Sequence, residues 1–209
     1  MIKPVQTINK LSTGAPVTIV ALGDSLTQGW MVSMGYLDYL KEMFHRGFPK
    51  NKCTFINSGI PGDTADSGLS RMQWDVLRYK PDCVFVQYAL NDAFSGFTEH
   101  HFKNNIKGII EKIREHGNTD IVLITSGYIG YNEDNRHAEG FYHQLELLGE
   151  EYGIPVVLTH EYWKKKIRDG VIWGSLVQFD GVHPTEEGYR HMAEAIMGLF
   201  ETRVTGSND

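Results

Sequence analysis

"VTIVALGDSLTQG", residues 17–29, passes from a β-branched apolar run straight into a glycine, an aspartate and a serine. A short apolar run bounded by turn residues reads as a strand buried on both faces. The polar turn leaves Ser25 at the carboxyl end of that strand, where a helix starts. Four more runs repeat the pattern: "CTFIN" (53–57), "CVFVQY" (83–88), "IVLIT" (121–125) and "PVVLT" (155–159). Between them, apolar residues recur at helical spacing, as Phe102, Ile106, Ile109, Ile110 and Ile113, then Phe141, Leu145, Leu148 and Tyr152. A last helix is expected to carry Tyr189, Met192, Ala193, Ile196 and Phe200.

Alternating strands and helices require right-handed crossovers, which lay the strands parallel and cover both faces with helices. The expected fold is therefore an α/β, three-layer α/β/α sandwich, flavodoxin-like, with a central parallel sheet of about five strands. A chain of 209 residues, 41% apolar, can bury one sizeable core, so residues 1–209 are expected to form a single domain with 204–209 as a frayed tail. A net charge of −6 without a basic patch argues against nucleic acid as a partner. The cluster Lys164, Lys165 and Lys166 reads as a solvated helix face. Cys53 and Cys83 sit in strand-like runs and are expected to be buried thiols. The N-terminus "MIKPVQTINKL" has no continuous apolar segment and no run is long enough to cross a bilayer, so no stable membrane insertion and a cytoplasmic location are expected, a processed export signal being the alternative.

In such sheets ligands bind outside the carboxyl ends of the strands, so the residues that follow each run carry the chemistry. After the first run, Ser25 has three readings: a helix cap, a phosphate ligand or a nucleophile. "GDSLTQG" is neither of the glycine-rich phosphate-binding patterns, nor the G-x-S-x-G elbow, because Thr27 replaces the second glycine. After the second run, "NSGIPGDT" (57–64) offers Gly59 and Gly62, whose backbone freedom can aim N–H groups at a ligand. After the third, "ALNDAF" (89–94) offers the side-chain amide of Asn91. Late in the chain, "FDGVHPTEEG" (179–188) pairs Asp180 with His183 just before a helix that Thr185 can cap. The three-residue spacing lets the carboxylate hold one imidazole nitrogen while the other faces outward, as a general base requires. Asp24 and Asp92 read as loop-fixing acceptors of backbone N–H groups rather than as acid/base groups.

Together these four pieces, in order from Gly23 to Pro184, resemble the SGNH, or GDSL, hydrolase superfamily and in particular its bacterial thioesterase and lysophospholipase branch. The resemblance implies Ser25 as nucleophile, His183 as general base and Asp180 as its orienting partner. It also implies an oxyanion hole from the backbone N–H of Ser25, the backbone N–H of Gly62 and the side-chain amide of Asn91. Gly62 is chosen over Gly59 because it precedes an Asp-Thr pair, as the family's block II glycine does. Block III departs from the usual G-x-N-D in having Ala89 where glycine is expected.

The implied activity is cleavage of carboxylic esters or thioesters of a small-molecule substrate through an acyl-enzyme, with no cofactor and no metal. His100, His101, His137 and His143 form no coherent ligand pattern. Trp30, Met31, Met34, Phe94, Phe97, Tyr128 and Tyr131 follow the site segments and are expected to line an apolar acyl pocket, to stack sugars, or to serve as core. A carbohydrate O-acetylesterase is the competing enzyme reading. A non-catalytic phosphate- or nucleotide-binding module, using the Ser25 turn alone, is the competing reading of another class.

Overall fold

The computed structural model describes residues 2–130 and 133–201. Five strands, β1 (Val17–Gly23), β2 (Cys53–Gly59), β3 (Cys83–Gln87), β4 (Asp120–Ile124) and β5 (Val156–Val157), form one parallel sheet in the order β2-β1-β3-β4-β5. This is the flavodoxin-like order, with its switch point between β1 and β3. Helices α1 (Val5–Thr13), α2 (Ser25–Gln28), α3 (Tyr36–Gly47), α4 (Ala65–Ser70), α5 (Met72–Asp75), α6 (Leu90–Phe94), α7 (Glu99–Glu115), α8 (Glu133–Tyr152), α9 (Thr159–Arg168), α10 (Trp173–Leu176) and α11 (Glu186–Met197) complete the fold.

Alternation along the strands splits the core in two. Val20, Leu22, Val84, Val86 and Leu123 face α7 and α8, while Ile19, Ala21, Phe85, Val122 and Ile124 face α3, α9 and α11. The stripes expected on α7 and α8 point inward, with Phe102, Ile106, Ile109, Ile110, Ile113, Phe141, Leu145 and Leu148 buried. Among the described residues, no helix is long and apolar enough to cross a membrane.

Several expectations are corrected. β2 is an edge strand and is only half-buried, so Cys53 is half-buried too, while Cys83 is buried in the central β3; both thiols are free. β5 pairs over only two residues, because Thr159 already starts α9. Phe200 lies beyond the end of α11, yet reaches the core with its ring centroid 4.9 Å from that of Phe44. Lys164 is not on a solvated face: it pairs with Glu139 at 2.6 Å and Glu161 at 2.8 Å, and Lys166 pairs with Glu194 at 3.4 Å. The reason is that Glu139 of α8 and Glu194 of α11 both reach the lysines of α9.

α2 sits directly on β2. A methyl group added at Gly59 would meet Gln28 N, lie 2.7 Å from Thr27 C and 2.8 Å from Asp24 O, all of them backbone atoms with no room to move. Gly59→Ala is therefore expected to cost about 3 kcal/mol, the upper end for overpacking, read as a lower urea midpoint at unchanged m-value.

Candidate active site

The turn after β1 spends its side chains differently from a simple serine cap. Asp24 is the N-cap of α2, its Oδ1 accepting the Leu26 N–H at 2.9 Å. That leaves the Ser25 hydroxyl uncommitted to the helix, and it lies 2.9 Å from Nε2 of His183, 158 residues away. His183 is held from behind: its Nδ1 lies 2.6 Å from Asp180 Oδ2, while its backbone N–H donates to Asp180 Oδ1 at 2.9 Å. Val182 N–H donates to the same Oδ1 at 2.9 Å. Burial alone would raise the Asp180 carboxyl; these N–H donors and the imidazole outweigh it and hold the carboxyl below its usual range. An ionised Asp180 fixes the ring tautomer with Nδ1 protonated and Nε2 open toward Ser25.

The loop carrying this pair is anchored on both sides. Val177 and Pro184 form an antiparallel bridge, and the Thr185 hydroxyl caps α11 by accepting the Gly188 N–H at 3.2 Å. The Gln178 side-chain amide donates to Trp30 O and to Pro184 O, both at 2.9 Å, tying the segment after Ser25 to the segment bearing His183. The Trp30 and His183 rings lie 5.9 Å apart.

The two loop glycines differ. Gly59 N–H donates to Asn57 Oδ1 at 2.9 Å. Gly62, at φ +77 with open space around it, has a backbone N–H with no protein acceptor among the described residues, and the same holds for Ser25. Asn91 donates one amide hydrogen to Asp63 O at 2.9 Å, which leaves its second hydrogen available.

Sequence reasoning missed the buttress beneath these groups. Arg71, whose side chain is only 14% exposed, donates Nε to Asp63 Oδ2 at 2.8 Å and terminal nitrogens to Asp75 Oδ2 at 2.9 Å, Tyr88 OH at 2.9 Å and Gly23 O at 3.1 Å. Tyr88 OH in turn donates to Asp63 Oδ2 at 3.0 Å. One guanidinium thus joins the ends of β1 and β3 to the loop after β2. An isolated arginine between two short helices carries no sequence signal of this.

Asp24 and Asp92 both serve backbone N–H groups, Asp92 accepting from Ala65 at 3.0 Å. Burial pushes each carboxyl up to about 7, overriding those hydrogen bonds, with the charge of Asp92 adding to the effect at Asp24. Of the aromatic and apolar candidates, Trp30, Met34 and Phe97 are half-buried and Met31 and Phe94 exposed. Tyr128 is core, with Lys164 Nζ 5.3 Å from its ring centroid; Tyr131 lies outside the described residues. His100, His101, His137 and His143 lie on α7 and α8 with exposed side chains, and no group of three or more His, Cys, Asp or Glu among the described residues is arranged to hold a metal.

Ala89 occupies φ +151, ψ −43, a region costly for a residue with a side chain. Ala89→Gly is expected to stabilise the fold by about 1 kcal/mol after the entropic penalty of glycine, read as a Tm increase of about 2–4 °C. The raised carboxyls act with the opposite sign to an ion-paired aspartate. Unfolded aspartates ionise near pH 4. The stability contributed by protonated Asp24 and Asp92 is full below about pH 4 and is lost as pH rises toward about 7. Asp24→Asn should therefore flatten the fall in urea midpoint between about pH 5 and pH 8.

Comparison with known proteins places this geometry in context. Residues 21–191 match the GDSL-like lipase/acylhydrolase family. The chain is 24% identical over 179 residues to thioesterase 1/protease 1/lysophospholipase L1 of Escherichia coli K12, covering 85% of this chain and 80% of that protein. It is 21% identical over 211 residues to an acetylxylan esterase of Geobacillus stearothermophilus, covering 90% and 95%. The crystal structure of the Geobacillus esterase Axe2 shares the fold at a TM-score of 0.80, with 19% identity over 92% of this chain and 97% of that one. Solved catalytic mutants of Axe2, with a Ser, a His or an Asp replaced, share it equally. With the family pattern spanning from β1 to α11, the chain belongs to the GDSL-like lipase/acylhydrolase family and is a hydrolase of ester bonds.

Proposed function

We propose that the chain cleaves carboxylic esters or thioesters through an acyl-enzyme on Ser25, with His183 as general base and Asp180 orienting the imidazole. The observation that carries this reading is the Ser25–His183–Asp180 hydrogen-bond chain, at 2.9 Å and 2.6 Å. It is supported by the Ser, His and Asp replaced in the catalytic mutants of Axe2.

As Ser25 Oγ bonds to the acyl carbon, its proton passes to His183 Nε2, and the carbonyl electron pair moves onto oxygen. The negative oxygen is met by the backbone N–H groups of Ser25 and Gly62 and by the free amide hydrogen of Asn91, fixed in advance by Asp63 O. Collapse of the intermediate expels the alcohol or thiol, which takes the proton from His183. Water, deprotonated by the same imidazole, then releases the acid and regenerates Ser25.

The apolar residues that follow Ser25 and Asn91 favour an acyl chain. Similarity over 95% of an acetylxylan esterase favours the competing reading, a carbohydrate O-acetylesterase. Rates on p-nitrophenyl esters from acetate to decanoate separate the two, since a sharp preference for acetate selects the acetylesterase. Ser25→Ala is expected to lose activity on the order of 10⁶-fold and Asn91→Ala about 100- to 1,000-fold. His183 must be neutral to take the Ser25 proton, so turnover should fall on the acid side as the imidazole is protonated. Near wild-type rates for Ser25→Ala, or a flat pH profile, would overturn the assignment.

A further inference from the structure

The groups that would meet the oxyanion come from separate segments, and the bonds between those segments divide into two sets. The loop after β2 is joined to α6 reciprocally: Asn91 donates to Asp63 O at 2.9 Å, and Asp92 Oδ1 accepts the Ala65 N–H at 3.0 Å. These bonds fix Asn91 against the loop that carries Gly62, but neither reaches β1. The tie to β1 runs through Gly23 O, just ahead of Ser25, which accepts the Ile60 N–H at 3.0 Å and Arg71 Nη2 at 3.1 Å. The Ile60 bond holds the start of the loop. Arg71 carries the tie further, to Asp63 Oδ2 and to Tyr88 OH at the end of β3.

Arg71 is itself aimed by its backbone. It lies between α4 and α5, its N–H donating to Ser67 O at 3.2 Å and its carbonyl accepting the N–H groups of Trp74 at 3.2 Å and Asp75 at 3.0 Å. α5 is pinned to β2 in turn, because Ser58 Oγ donates to Asp75 O at 2.7 Å. Tyr88 is fully buried with its hydroxyl between Arg71 and Asp63, and Gly68 on α4 gives it room: a methyl group there would lie 2.7 Å from Tyr88 Cζ. Acceptors spread over β1, the loop after β2, α5 and the end of β3 suit a planar fork of fixed donors. A lysine ammonium keeps the charge, but its three donors sit on one atom and cannot span them.

Resting on the catalytic reading above, we propose that Arg71 is a positioning residue of the oxyanion hole: through Asp63 it sets Asn91 and the Gly62 loop at the distance from Ser25 that the tetrahedral intermediate requires. The guanidinium bonds neither Ser25 Oγ nor His183. Asp63 is the relay, its carboxylate held by Arg71 and its carbonyl holding the Asn91 amide. Negative charge gathers on the substrate oxygen in both acylation and deacylation. A displaced hole therefore slows both steps, and the loss falls on kcat with KM little changed.

Arg71→Lys and Tyr88→Phe test this on p-nitrophenyl acetate. Rates are counted per competent site, from the stoichiometric release of p-nitrophenol by a p-nitrophenyl alkylphosphonate, so that misfolded molecules drop out. Arg71→Lys is expected to lower kcat about 10- to 100-fold with KM within about twofold, the loss that a displacement on the order of 1 Å produces from outside the reacting centre. Tyr88→Phe removes one hydroxyl from the same cluster and should lower kcat about threefold in the same pattern. In the Asn91→Ala background the relay has lost its target, so the loss from Arg71→Lys should shrink at least about threefold. A residue that served stability alone would lower Tm and the number of competent sites while leaving kcat per site in place. Unchanged kcat per site, a loss confined to KM, or an equal loss with and without Asn91 would each overturn the assignment. If Arg71→Lys yields no competent sites, Tyr88→Phe decides by the same criteria. Near wild-type activity of Ser25→Ala would instead overturn the catalytic reading, whereas failure of the Arg71 assignment leaves that reading standing.

Discussion

β1 is hydrogen-bonded along its whole length to β2 and from Ile19 onward to β3, and this central position is the constraint on which the rest depends. Strands paired in parallel end on the same edge of the sheet, so the segments after β1, β2 and β3 must emerge side by side. The chain passes to one flank of β1 to make β2, then to the other to make β3, and the crevice opens where that direction reverses. Ser25, Gly62 and Asn91 belong to these three emerging segments. His183 arrives from a fourth, delivered by α11, which packs against the same face of the sheet as α3.

Holding three loop ends in fixed relation requires polar atoms in a region almost closed to water, and the chain meets this need with one cation and several carboxylates. Arg71 donates to Asp63, Asp75, Tyr88 and Gly23, and the two carboxylates compensate the charge it buries. Asp24 and Asp92 have no such cation and are instead driven toward the neutral acid. The strain at Ala89 and the raised carboxyls lie in the elements that present Ser25 and Asn91, in keeping with local conflicts being tolerated where chemistry is supported.

Around this polar floor the surface changes character. The loops that frame the reacting centre lack basic residues, and they expose apolar groups while their own acids turn inward or pair.

By itself the sequence determined the alternation of strands and helices, the parallel sheet, the edge at which chemistry occurs and the identity of Ser25, Asn91, Asp180 and His183 as its candidates. These are legible because burial on two faces writes continuous apolar runs and because turn residues mark strand ends locally. α1 and α3 went unread, since their stripes are short and, in α1, rest partly on the buried Thr7. Tertiary structure alone decided that β2 lies at an edge, that Lys164 meets Glu139, that Asp24 rather than Ser25 caps α2, and that Arg71 spans three strand ends. The Lys164 and Arg71 contacts depend on which distant atom comes within about 3 Å of a polar group, and the Ser25 hydroxyl likewise goes to His183, 158 residues away, while the local cap falls to Asp24; such distances are set by strand order and helix packing, not by neighbours along the chain.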